Sequence, residues 1–143
     1  MDSNLKREII MDNYQNPYHK EIPNNIEEYI KVNSNNESCI DNIDLFIKIV
    51  DNIIVDVYFM GEACAISTSA TSIMIRLLLN KSIDDVLLLI DNYEKMINGL
   101  EYNSNILEET IVYNEIYKQQ NRKNCAMLPW KGLKKALEQY ERK

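Results

Sequence analysis

Two stretches in the first half of the chain alternate apolar and polar positions with a period of two. In "IDLFIKI" the residues Ile43, Leu45, Ile47 and Ile49 share one face, and in "IIVDVYF" the residues Ile53, Val55, Val57 and Phe59 do the same. That period marks half-buried strands, and the short connection between them predicts a hairpin. The two apolar sets meet only if an odd-numbered residue pairs with an odd-numbered one. A three-residue loop, Val50 to Asn52, satisfies this by pairing Ile49 with Ile53, Ile47 with Val55 and Ile43 with Phe59. Asn52 then takes the left-handed position of the turn, which Asn tolerates better than most residues. A weaker alternation in "EEYIKVN", with Ile30 and Val32 set against Tyr29, Lys31 and Asn33, predicts a third strand.

The rest of the chain carries helical spacing. "NLKREIIMDNYQ" places Leu5, Ile9, Ile10 and Tyr14 on one side and ends ahead of Pro17, which forces an extended residue before it. "ACAISTSATSIMIRLLL" reads as a helix stopped at Asn80, a residue suited to a left-handed terminus. Ser82 followed by Asp85 resembles a capping box for "IDDVLLLIDNYEKMI", and Gly99 ends that helix. Asn105 precedes a further periodic stretch, "ILEETIVYNEIYKQQ", predicted to be helical. Pro129 fits the first turn of a helix, so the last helix is predicted to begin near Leu128 and to turn Trp130, Leu133, Ala136 and Leu137 inward.

The chain has 143 residues, 45% of them hydrophobic and 27% charged, which is a globular mixture of one-domain size. No repeat or Pro/Gly linker divides it, so residues 1–143 are expected to form a single domain. A formal net charge of −6 argues against a surface that tracks phosphates, and hence against nucleic acid as partner. The longest apolar run, "IMIRLLL", is broken by Arg76 and far below the roughly 20 residues that span a bilayer. "MDSNLKREII" lacks the apolar core of a signal peptide. These features predict a cytoplasmic chain with no membrane partner.

Three cysteines, an odd number, then read as metal ligands, reactive thiols or small buried residues before they read as disulfides. Cys64 stands where the helix after the hairpin begins, and unpaired N–H groups at a helix start favour a thiolate. Continuing the predicted register backwards puts Asp41 beside Gly61 and Cys39 beside Ala63 and Cys64. Cys125 also precedes a predicted helix start, but one sequence does not bring it to the other two. A set of three cysteines and Asp41 supplies four donors for tetrahedral zinc. Arg122, Lys123 and Lys131 near the third cysteine would offset the excess negative charge. Inert buried cysteines are the competing reading. His19, the only histidine, is a possible further ligand or a solvated loop residue. The hydroxyl run 67–72 has no histidine base near it in sequence and suits close packing.

"SCID", "GEACAISTSATSIM" and "RKNCAMLPWKGLKKAL" resemble the three cysteine motifs of the U-type iron–sulfur assembly proteins, and "YQNPYHK" is similar to that family's Asn-Pro segment. The long interval between Cys64 and Cys125, and Asn124 in place of a histidine, resemble the SufU branch more than the IscU branch. The resemblance implies an α+β fold, a small three-stranded antiparallel sheet covered by about five helices. It also implies one zinc site formed by Cys39, Asp41, Cys64 and Cys125. The implied activity is sulfur acceptance from a cysteine desulfurase like SufS, with Cys39 taking the persulfide and the pyridoxal phosphate belonging to that partner. Two alternatives carry different predictions. One is a scaffold on which an iron–sulfur cluster is assembled, and the other is a structural zinc module that binds a partner. Ile40 and Ala63 stand where the family usually has glycine, and "NNES" lacks an expected proline. Both replacements remove positive-φ freedom and imply stiffer loops around the ligands.

Overall fold

The computed structural model describes residues 1–36 and 40–142. A helix α1 (Ser3–Gln15) leads to three strands, β1 (Ile30–Asn35), β2 (Asn42–Val50) and β3 (Ile53–Glu62). Helices α2 (Ala65–Leu78), α3 (Ile83–Ile97) and α4 (Gln120–Glu141) follow. The strands form one antiparallel sheet in the order β1-β2-β3. Ile43, Leu45, Ile47, Val57 and Phe59 are buried from one face of it against the helices. The predicted sheet and helical cover are therefore present. Among the described residues no helix is long and apolar enough to cross a membrane.

The hairpin differs from expectation in its turn and its register. Its loop has two residues, Asp51 and Asn52, both left-handed with φ of 51° and 63°, the pattern of a type I′ turn. Val50 pairs with Ile53 and Ile49 with Ile54, which taken alone would put the two apolar faces on opposite sides. A bulge corrects the mismatch. Lys48 pairs with Asp56, so Val55 is the extra residue, and beyond it Ile47 meets Val57 and Leu45 meets Phe59. Ile54 consequently takes the core position, while Ile53 and Val55, both predicted to be inward, are exposed. Ile43 lies opposite Gly61 instead of Phe59, a shift of two residues.

Two helical predictions are also revised. Residues 104–118 stay helical but form three 3-10 segments, Ser104–Ile106, Glu108–Tyr113 and Ile116–Lys118, in place of one α-helix. Glu108 adopts a left-handed φ of 46°, which no continuous right-handed helix accommodates. Helix α4 begins eight residues before Leu128, at Gln120, and Pro129 lies in its interior. A proline there offers no N–H to the carbonyl four residues back, that of Cys125. The Ser67 hydroxyl lies 3.0 Å from that oxygen. Nearby carbonyls of the same helix are also tied to other elements, Ala126 by Tyr93 Oη at 2.7 Å and Leu128 by Ser34 Oγ at 2.8 Å. The predicted inward set, Trp130, Leu133, Ala136 and Leu137, is buried, with Trp130 stacked on Tyr93 at 4.3 Å between ring centroids.

The predicted ends of α2 and α3 are found. Asn80 is left-handed with φ of 68°, Gly99 has φ of 73°, and Ser82 Oγ accepts from Asp85 N–H at 3.2 Å. Ser82→Ala is expected to lower stability by about 1 kcal/mol, the usual worth of such a cap. A shift of the urea unfolding midpoint measures it, and an unchanged midpoint would remove the cap from the account.

Candidate metal centre

Asp41 precedes β2, Cys64 caps α2 and Cys125 lies within α4, so three separate elements deliver these side chains. The two-residue shift of the hairpin improves on the predicted encounter. With Ile43 opposite Gly61, the register carries Asp41 to Ala63, and Cys64 N–H donates to Asp41 Oδ1 at 2.7 Å. Cys64 Sγ accepts from Ser67 N–H at 3.4 Å, the helix-start position expected of this thiol. Its own contact with Asp41 Oδ2 is 3.7 Å. Cys125 completes the group: one ligand atom from each of Asp41, Cys64 and Cys125 lies within 4.8 Å of the others. Cys125 is buried in the second turn of α4 and not ahead of its start, because the helix begins earlier than the proline suggests.

Cys39 lies outside the described residues. Ile40 is 72% exposed. Among the described residues, the only non-glycine positions with positive φ are His19, Asp51, Asn52, Asn80 and Glu108. Ala63 is thus spared the conformation that a family glycine would permit.

The electrostatics of the group follow from its surroundings. Burial pushes the Asp41 carboxyl up, but hydrogen bonds from Cys64 N–H, the Ser67 hydroxyl and the Cys125 and Cys64 thiols outweigh it, leaving the group below its ordinary value. Asp41 is 1% exposed and nonetheless a carboxylate. Burial, followed by the contacts with Asp41 and Cys64, pushes the Cys125 thiol up to about 12. Without a cation this cysteine is a neutral thiol. Two sulfurs and a carboxylate oxygen are donors that zinc accepts, and tetrahedral bonds of 2.0–2.3 Å place ligand atoms roughly 3.3–3.8 Å apart. The 3.7 Å between Cys64 Sγ and Asp41 Oδ2 falls in that range. The residues present fit a metal with one further donor.

Other candidate residues stand elsewhere. His19 is neither in this group nor simply solvated. Its ring lies between Tyr18 and Tyr58, at 3.8 and 4.6 Å between centroids, and its Nδ1 is 2.9 Å from the Val57 carbonyl. Lys123 and Lys131 line a groove with Glu94 and Ile97 of α3, and Arg122 is exposed. The hydroxyl run is buried, as close packing requires, but it also makes directed bonds. Ser72 Oγ donates to Asn13 Oδ1 at 2.7 Å and accepts from Tyr18 N–H at 2.8 Å, fastening α1 and the loop after it. Ser67 is the residue that sequence reasoning passed over. Its signal was the spacing of three from Cys64, the interval at which a capping residue and its partner meet.

A small antiparallel sheet backed by helices, with an Asp-Cys-Cys group that could hold a metal where strand and helix ends converge, defines the class of this α+β protein. The chain belongs to the NifU-like N-terminal domain family, whose model matches residues 5–143. It is 35% identical over 138 residues to the zinc-dependent sulfurtransferase SufU of Bacillus subtilis strain 168, covering 96% of this chain and 92% of that relative. It is 32% identical over 107 residues to the iron–sulfur cluster assembly scaffold protein IscU of Thermotoga maritima, covering 75% of each. A crystal structure of a putative iron–sulfur cluster assembly scaffold protein for the SUF system, from Fervidobacterium islandicum AW-1, superposes with a TM-score of 0.84. That match is 32% identical and covers 91% of this chain and 94% of the other.

Proposed function

We propose that the chain serves iron–sulfur cluster biogenesis as a zinc-dependent sulfur acceptor, taking sulfur on Cys39 from a cysteine desulfurase in the cytoplasm. The observation that carries this reading is the meeting of Asp41, Cys64 and Cys125 within 4.8 Å, in a chain 35% identical to a zinc-dependent sulfurtransferase. Asp41, Cys64 and Cys125 would hold the metal, and Cys39 would be the fourth donor. Bound zinc supplies positive charge that keeps coordinated thiols deprotonated at neutral pH. Asp41 is prepared for the role, because the Cys64 N–H and the Ser67 hydroxyl hold it ionised and oriented.

The sulfur step needs one exchange. The Cys39 thiolate attacks the terminal sulfur of the donor's cysteine persulfide, a new S–S bond forms on Cys39, and the donor cysteine leaves as a thiolate. No oxidant is consumed, since the sulfur arrives already at the persulfide level. Cys39→Ala is expected to abolish sulfur acceptance while zinc binding persists in weakened form, because three donors remain. Mass spectrometry of the chain after incubation with desulfurase and cysteine reads the first effect, and zinc titration the second. Persulfide on a different cysteine would reassign the acceptor. The scaffold reading is favoured by the relatives whose names describe scaffolds. It predicts an oxygen-sensitive visible chromophore after anaerobic reconstitution with iron and sulfide, and a colourless zinc form that resists replacement opposes it.

A further inference from the structure

Ser67 is fully buried in the first turn of α2. Its hydroxyl oxygen stands 2.7 Å from Asp41 Oδ2 and 3.0 Å from the carbonyl oxygen of Cys125. The hydroxyl has one proton, and both neighbours are acceptors only. One donor therefore serves two ligand-bearing residues from different elements. The Cys125 carbonyl is available because Pro129, four residues on, has no N–H to satisfy it. Asp41 Oδ1 is occupied by the Cys64 N–H, which leaves Oδ2 as the oxygen that faces the Cys64 sulfur. Ser67 is also placed by its own backbone, whose N–H donates to Cys64 Sγ and whose carbonyl accepts from Thr71 Oγ1 at 2.7 Å. The same residue touches Asp41, Cys64 and the backbone of Cys125.

We propose that Ser67 is a positioning residue of this centre, holding Asp41 Oδ2 and the Cys125 turn of α4 at the separation a shared metal requires. The role rests on the metal-site reading above. It makes a specific demand of α4: the proline break is what turns the Cys125 carbonyl into a partner for a residue on another helix. Groups that orient metal ligands from behind typically contribute 10–100-fold to affinity. Removing the Ser67 hydroxyl leaves Asp41 with the Cys64 N–H and the two thiols, and leaves the Cys125 carbonyl without the Ser67 donor.

The test is a competition titration of zinc against a chromophoric chelator, with the metal-free wild type, Ser67→Ala and Ser72→Ala. Ser72 is an equally buried hydroxyl of the same helix, bonded to Asn13 and Tyr18 instead of to a ligand. Ser67→Ala is expected to bind zinc about 10–100-fold more weakly, with Ser72→Ala unchanged and the far-ultraviolet circular dichroism of both retained. The cobalt(II) ligand-field spectrum of Ser67→Ala is expected to shift, which loss of stability alone would not produce. If Ser67→Ala does not fold, the titration compares Ser67→Ala/Pro129→Ala with Pro129→Ala. There the restored N–H at residue 129 satisfies the Cys125 carbonyl, and the remaining difference reads the Asp41 contact. Equal affinity with and without the Ser67 hydroxyl overturns the positioning role and leaves the metal site standing. A wild-type chain that takes up neither zinc nor cobalt overturns the metal reading and this role with it.

Discussion

Gly61→Ala is expected to lower the unfolding free energy by roughly 2–6 kcal/mol, combining the cost of a strained backbone with that of overpacking. Gly61 has φ of +126°, a conformation open to glycine and strained for any residue with a Cβ. The added carbon would also lie 2.2 Å from the Asn42 carbonyl oxygen and 2.9 Å from Ile43 Cα, both backbone atoms of the neighbouring strand. No side-chain rotation relieves that overlap, so β2 and β3 must separate at the end that presents Asp41 and Cys64. Domains of this kind have only about 5–15 kcal/mol in total, so much of the stability is at stake. Urea unfolding followed by circular dichroism measures the loss, and an alanine variant with the wild-type midpoint would show that this glycine does not bear the strain assigned to it.

Asp41→Ala is expected to weaken zinc binding by more than about a hundredfold, beyond what an outer partner contributes, while the fold survives. The carboxylate is the one donor that both holds a charge while buried and receives hydrogen bonds from the cap of α2. Alanine removes the donor and the acceptor together. The Ser67 proton still finds the Cys125 carbonyl, so the Cys64 N–H is the main group left without its partner. That loss costs about 1–3 kcal/mol, partly offset because a buried charge is gone. Chelator competition gives the affinity and circular dichroism the fold. Binding within tenfold of wild type would place the metal, if any, on other ligands.

Much of this arrangement is legible in the chain, and the exceptions have physical causes. Alternation alone identifies β2 and β3 and requires their apolar faces to coincide, which they do. The turn and the bulge are two devices with the same net parity, and a sequence does not distinguish them. Asp51 and Asn52 both tolerate the left-handed region, so the tighter turn forms and Val55 absorbs the odd residue inside the strand. Asp41 and Cys64 were predictable neighbours because they flank one hairpin. Cys125 was not, because its position depends on how α4 packs on α2 and β1, a long-range matter. Pro129 misled for a related reason. Its usual place is a first turn, but here a serine from α2, 62 residues earlier, lies against the carbonyl it leaves free. His19 illustrates the same limit in part: Tyr18 adjoins it in sequence, but the second ring that encloses it, Tyr58, comes from β3.

Elemental analysis of the purified wild-type chain, made without added metal, tests the zinc site most directly. The prediction is about one zinc per chain, the load of a single tetrahedral site, and no visible absorption. Iron with a visible chromophore, or a chain that carries no metal and takes up none when zinc is supplied, would contradict it.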